Sequence, residues 1–393
     1  MSCNKLYHGI KLKLFGTTKK ICIKREVYAS GKVYLFSLVI ILSGFNSIYG
    51  QGSSSASNNT GVEFTPYYES WSIKGGSSFS ELTNILNVNY SPVSNTRLGF
   101  TTRYAALSGD VNHLSGFSDS QILIGQEIPG YNLVLNGGVN IPSGVTKLSQ
   151  NEFLATKLVS QNLFMLKTPN FGQGLNLFIG GTWAHPVMDN FVLGIGISYQ
   201  VKNEYQPLKD TTLKYKPSNE ICGTGGFDIR LGKSSTLTGD ITGIFYWSDK
   251  LGGQYVFKTG NRIIFDMIFK HYFGYNVLTG TLIYRNVAID ELKGNAAFVE
   301  NEKLNPNQVY FSIGFNQRLS EIVTLGYGVY ASVYEKSAAS FSGYSIYGVN
   351  ITPQFKVSQN VIIPVFLQFG MGNASGKPDL QNFIVATGIK IGI

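Results

Sequence analysis

Beyond the first fifty residues the chain has three histidines, His113, His185 and His271. None has a second ligand at the spacing a bound metal requires. His113 with Ser115 is the one pair that could serve a membrane esterase. Such chemistry also needs a group to orient the histidine and an oxyanion site, and the sequence places neither. Gly223, Gly225 and Gly226 look like a phosphate loop only in isolation. They lie inside an alternating strand with no lysine and no helix after them, so they read as close strand packing. Of the three cysteines, Cys3 and Cys22 precede the mature chain and Cys222 stands alone, so no internal disulfide forms. We expect no enzyme activity, no metal and no cofactor.

The remaining chemistry is charge. Arg97, Arg103, Glu127, Asp228, Arg230, Asp240, Asp266, Lys270, Arg285, Arg318 and Lys390 all fall on the polar phase of alternating segments. With the apolar phase turned outward, they point into one interior. They are either mutually paired charges lining a wet lumen or a solute site. Their basic excess points to anions. Ile244, Ile264, Ile268 and Phe366 share the same phase, and a partly greasy lumen suits an uncharged or aromatic solute better than a bare ion.

The elements that position these residues are hairpins, clearest over Gly174 to Gln200. In its second half Phe191, Leu193, Ile195, Ile197 and Tyr199 form one face, and Val192, Gly194, Gly196, Ser198 and Gln200 the other. A period of two with one wholly apolar face is a strand half-buried in something greasy. Trp183 and Phe191 flank a turn expected over His185 to Asn190, and Tyr199 sits at the far end. Aromatics at both ends of an apolar band mark a transmembrane barrel hairpin. About sixteen such segments follow from Val62 onward, although fourteen would also close.

The connections alternate between short and long. Pro92–Asn95, Pro129–Gly130 and Phe273–Gly274 are short. Ser72–Glu81, Pro142–Gln173 and Gly372–Leu380 are expected to be long loops. Barrels in outer membranes have short periplasmic turns and long outside loops, and an even strand count leaves both ends in the periplasm. The predicted fold class is an all-β, antiparallel up-and-down transmembrane barrel.

Composition agrees. Charged residues are 14%, below the roughly 25% of soluble domains. Mean hydropathy is +0.04, which excludes a bundle of membrane helices. The formal charge of +9 is misleading, because residues 1–50 hold eight basic residues and one acid. The remainder has 24 basic against 22 acidic residues, so no nucleic-acid partner is expected. Lys32, the apolar run Val33 to Leu42 and the small-residue stretch to Gly50 have the order of a secretory signal. We therefore divide the chain into a signal peptide at 1–50, a flexible periplasmic tail at 51–61 and a barrel at 62–393.

The longest loop, Pro142 to Gln173, is the expected functional element. Its middle, Asn151 to Leu166, could form a short amphipathic helix carrying Phe153, Leu154, Leu158, Phe164 and Met165. It either lines a site for a hydrophobic molecule or simply constricts the pore. From Gly138 to Tyr199 the run "GVNIPSG", "NEFLATKL" and "GLNLFIGGTWAHPVMDNFVLGIGISY" resembles outer-membrane channels of the long-chain fatty-acid transporter superfamily, including aromatic-compound channels. The resemblance implies a monomeric, internally obstructed barrel that passes hydrophobic molecules. The chain departs from it in strand count and in having no room before Val62 for the amino-terminal plug. The expected function is passive passage of small hydrophobic or aromatic solutes by a monomer in outer-membrane lipid. A structural or secretion-accessory barrel working through protein partners is the rival reading.

Overall fold

The computed structural model describes residues 60–73, 78–110, 112–160, 166–168, 170–292, 303–337, 343–374 and 377–393. The leader, and the tail as far as residue 59, fall outside them; Gly61 already opens the first strand.

Sixteen barrel strands run up and down. They are β1 (Gly61–Ile73), β2 (Ser78–Val93), β3 (Thr96–Gly109), β4 (Leu114–Phe117, resumed as Ser120–Ile128) and β5 (Leu133–Ile141). Next come β6 (Asn176–Met188), β7 (Phe191–Lys202), β8 (Glu220–Leu231), β9 (Ser235–Tyr246), β10 (Arg262–Phe273) and β11 (Asn276–Val287). The last are β12 (Gln308–Arg318), β13 (Val323–Tyr334), β14 (Tyr344–Lys356), β15 (Val361–Ala374) and β16 (Lys377–Thr387, resumed as Ile389–Gly392). Each is antiparallel to the next. β16 returns to β1, pairing from Tyr67↔Ala386 to Ile73↔Leu380 and again at Glu63↔Lys390. Closure leaves no strand edge, the condition for placing a sheet in hydrocarbon. The start of the first strand and the end of the last meet at the short-turn rim, where the Ile393 amide donates to the Thr60 carbonyl at 2.8 Å.

The outward phase is apolar and uncovered. Ile179, Ile195 and Ile197 are 70%, 60% and 62% exposed. Residues this greasy, in continuous rows around a closed sheet, form a lipid-facing belt. Aromatic pairs mark both edges. Phe273–Phe315 and Phe191–Phe227 lie toward the short turns, Tyr199–Trp247 and Tyr104–Phe117 toward the long loops. Ile197→Arg should therefore cost about 2–4 kcal/mol in a vesicle unfolding titration, as charges at mid-bilayer do. Ser198→Arg, one residue on and facing the lumen, should cost far less.

Three local expectations need correction. The turn at His185 to Asn190 shrinks to Asp189–Asn190, because β6 continues through Met188. A register shift after Pro186 absorbs the ladder donor that proline lacks, and His185 stacks on Trp183 at 5.3 Å. Ser72–Glu81 and Gly372–Leu380 are mostly strand rather than loop. Phe79 and Leu380 within them, and Trp71 just before the first, are buried in one interior cluster, and that packing prolongs the strands. Of the glycine triplet, only Gly226 is closely packed: a Cβ there would collide with the Asp240 carboxylate. Gly223 and Gly225 face outward with open space around them or a single distant contact. At the tight turn after β10, Gly274 takes φ +63°, a conformation costly for any side chain.

Long connections also build structure beyond the rim. Tyr215–Lys216, Asp249–Leu251, Gln254–Lys258 and Glu291–Leu292 pair as a small four-stranded sheet. The Ser218 amide donates to Asp249 at 2.7 Å and Tyr215 donates its hydroxyl to the same carboxylate.

Candidate functional site

The lumen divides into two halves by burial. On the short-turn side Arg97, Glu127, Asp228, Arg230, Asp240 and Lys270 project inward and stay partly solvated. On the loop side the interior is packed. Trp71, Phe79, Ala105 and Leu107 from β1–β3 belong to one contiguous apolar cluster with Ile264, Ile283, Tyr310, Tyr334 and Tyr344 from β10–β14. This packed layer, drawn from strands on both sides of the barrel, we term the septum.

The long loop completes the septum. Its helix, α1 (Gln150–Ser160), starts on a capping box. The Ser149 amide and hydroxyl each donate to Glu152 Oε2 at 2.7 Å, and these bonds hold the Glu152 carboxyl below its usual range. Leu148, just before it, bridges to Leu208 of the next long loop. The loop's stems are held by Asp119, in the break of β4. Asp119 accepts the Gly144 amide at 3.0 Å and the Gln173 amide at 2.7 Å, while burial pushes its carboxyl above the usual range.

Between these anchors the chain drops into the barrel. Leu166, Lys167, Thr168 and Phe171 are all buried. The Thr168 amide donates to Glu81 Oε1 at 3.0 Å, and its hydroxyl lies 3.3 Å from that of Thr83 on β2. Thr83 also donates to Glu81 at 2.6 Å. The Lys167 ammonium sits over the Tyr67 ring, 4.9 Å from its centroid. It lies within electrostatic reach of Glu69, Glu81 and Arg103. Two carboxylates and two cations thus share a dry space between the β1–β3 wall and the inserted segment. Burying charges this way is tolerable only when they compensate one another.

Beside this set is a small cavity lined by Tyr67, Glu69, Trp71, Tyr330, Tyr344 and Gln368, among others. Trp71 and Tyr344 meet edge-on at 6.2 Å, and Tyr334 stacks on Tyr344 at 4.4 Å. Trp71 Nε1 donates to Glu69 Oε1 at 2.6 Å, and Gln368 Nε2 donates to Asn382 Oδ1 at 3.1 Å. Glu69 Oε2 and Gln368 Oε1 are buried and accept no hydrogen bond.

All eleven charges expected in the lumen are on inward positions of the ladder, but they are not brought to one place. Arg103 joins the septum. Arg285 is buried on the facing wall, where it donates to Gln308. Asp240 opposes Asp266 directly across β9–β10, with Asp228 bonded to Thr238 at 2.5 Å beside them. Lys390 pairs with Glu63 at 3.1 Å. Arg318 folds back to the rim, its guanidinium 4.9 Å from the centroid of Tyr275. Of the loop candidates, Phe153 is exposed. Nothing is described of the Leu154 and Leu158 side chains, and Phe164 and Met165 lie outside the described residues. The sequence reading missed Glu69, Glu81, Thr83, Lys167 and Thr168. Glu69 carried a usable signal, since it shares the phase of Tyr67 and Trp71.

Among the described residues, no three His, Cys, Asp or Glu side chains are grouped to hold a metal. Cys222 is a free thiol buried on the inner wall.

No family model matches the chain, and no curated protein matches it. Among solved structures, it is similar to OprD of Pseudomonas aeruginosa at 9% identity and TM-score 0.44, over 85% of this chain and 95% of that one. It is similar to an outer-membrane channel of Pseudomonas putida F1 at 10% identity and TM-score 0.39, over 88% and 99% of the two chains. An anion-selective porin from Comamonas acidovorans is similar at 13% identity and TM-score 0.40, over 85% and 98%. These figures assign no solute to this chain. The fatty-acid transporter superfamily is not shown for it.

Proposed function

We propose that this barrel is a passive channel of a bacterial outer membrane, acting as a monomer, for small solutes of hydrophobic or aromatic character. The observation that carries this reading is the septum: a wet vestibule leads to a layer of Tyr, Trp and Ile side chains built around an inserted loop. A purely structural barrel needs no inserted loop held by buried charges. Ions crossing this layer would lose their hydration, whereas an uncharged ring would exchange water for aromatic contact. The lipid-facing belt, the closed sheet and the rim-to-rim asymmetry of turns and loops support the membrane placement.

The test is entry of uncharged solutes of graded size into liposomes holding the refolded protein. Uptake that falls steeply with solute size, and favours aromatic over equally large polyhydroxylated solutes, is the expected result. No uptake by a folded barrel would overturn the channel reading and favour a role through protein partners.

A further inference from the structure

The wall of β8 and β9 continues above the lipid belt. The Trp247 amide donates to the Asn219 carbonyl at 3.3 Å, and Asn219 Nδ2 donates to the Tyr199 hydroxyl at 2.9 Å. The ladder then resumes in unchanged register in the small outer sheet: Glu220↔Tyr246 is followed by Lys216↔Lys250 and Tyr215↔Leu251. Two lysines therefore stand directly opposite each other, three residues beyond Asn219 and Trp247. The faces of this sheet differ. Tyr215 donates to the buried Asp249 carboxylate and meets Tyr205 edge-on at 5.9 Å. Tyr205 in turn lies near Asp119 and against Gly174, where an added Cβ would come within 3.3 Å of its own. That face is thus turned toward the stems of the inserted loop. Successive side chains alternate across a strand, so Lys216 and Lys250 point away from the barrel interior. Tyr255, opposite Lys250, is 56% exposed, and the Lys250 ammonium lies 4.6 Å from its ring centroid. The neighbouring carboxylates are taken: Glu204 pairs with Lys214 at 2.7 Å and Glu291 with Lys258 at 3.0 Å. Among the described residues Lys216 and Lys250 form no ion pair. Like charges directly opposite in a sheet destabilise it, and an anion held between them removes that cost.

We propose that Lys216 and Lys250 clamp the phosphate of an anionic lipid in the outer leaflet. Their height fits. Tyr199 and Trp247 mark the edge of the hydrocarbon on the loop side, and three residues of strand carry the pair about 10 Å farther along the wall, less in height because the strands tilt. The headgroup layer beyond the hydrocarbon is about 5–8 Å thick on each side. Tyr255 holds one ammonium in place, and the two flanking ion pairs leave the positive charge at the centre of the face. This site is on the outside of the barrel and needs only its membrane placement, so it stands or falls apart from the solute that the channel passes.

Trp247, just below the pair, reports on the lipid that sits there. Trp183→Phe removes the tryptophan at the opposite rim, and Trp71 is buried inside the barrel. The protein would be refolded into phosphatidylcholine vesicles holding a fixed fraction of lipid brominated high on its chains, either phosphatidylglycerol or phosphatidylcholine. Each lysine beside an anionic lipid is worth about fivefold. Quenching of Trp247 should therefore show a preference of about fivefold to twentyfold for the brominated phosphatidylglycerol, weakening as salt is raised. In Trp247→Phe, where Trp183 is the lipid-facing reporter, no preference is expected. Lys216→Glu sets a carboxylate opposite Lys250 on an exposed face, so it should leave the barrel folded and abolish the preference. Equal quenching by the two lipids at Trp247, the same preference at Trp183, or a preference that survives Lys216→Glu would overturn the proposal. Loss of the preference on adding soluble glycerol phosphate at constant ionic strength would overturn it too, by assigning the lysines to a free phosphate.

Discussion

Glu81→Ala is expected to destabilise the folded barrel by about 3–5 kcal/mol, the range seen when one partner is removed from a buried charge set. Glu81 is fully buried and accepts from both the Thr83 hydroxyl and the Thr168 amide. Without it, the Thr168 N–H is left unpaired in a dry space, a loss of about 1–3 kcal/mol by itself. Arg103 would lose the Glu81 charge that offsets its own, Lys167 would keep only Glu69, and the cluster would hold an uncompensated positive charge. Glu81→Gln separates the two contributions, because the amide oxygen still accepts both bonds while the charge is gone. It should fall between wild type and Glu81→Ala. Urea unfolding in lipid vesicles, followed by tryptophan emission, gives the values. A loss within about 0.5 kcal/mol, typical of an indifferent surface change, would contradict the buried cluster.

The second large effect concerns conductance. Replacing residues 150–171 by a short Gly/Ser linker should raise single-channel conductance several-fold. The excised stretch supplies Leu166, Lys167, Thr168 and Phe171 to the septum, and nothing in the ladder replaces them. The barrel should still close. β5 and β6 pair directly from Leu133↔Trp183 to Asn140↔Asn176, so a few residues span the gap, and shortening a loop lowers its closure entropy. Unchanged conductance in a folded deletion would mean that the barrier lies in the wall residues.

What could be read from the sequence follows from which forces act locally. Lipid imposes one rule on every second residue, so Leu193, Ile195 and Ile197 fixed the phase of β7. The inward placement of Asp228, Asp240 and Lys270 followed from the same rule. The rule ends where lipid ends. Above the belt, Phe79 and Glu81 prolong β2 because they pack inside the barrel, and a hydrophobic period cannot show that a strand continues past the membrane. The septum is less legible still. Thr168 meets Thr83 across 85 residues of chain, and no local pattern marks Lys167 as an interior residue. Phe153 drew attention as a large apolar residue in a loop helix, yet among the described side chains of that helix the buried one is Ala155. The fatty-acid transporter resemblance covered one hairpin and its loop, too little to set the strand count.

The central claim is that the segment around Thr168 lies inside the barrel against β2, and a disulfide trap tests it most directly. The Thr83 and Thr168 hydroxyl oxygens are 3.3 Å apart, so Thr83→Cys with Thr168→Cys places two sulfurs within bonding reach after small rotations. Cys3, Cys22 and Cys222 would be changed to Ser to remove the native thiols. The account predicts that the pair oxidises within one molecule once the barrel has folded, leaves conductance at the wild-type level, and resists a membrane-impermeant maleimide until reduced. Two thiols that stay free and react at once with the maleimide would contradict it.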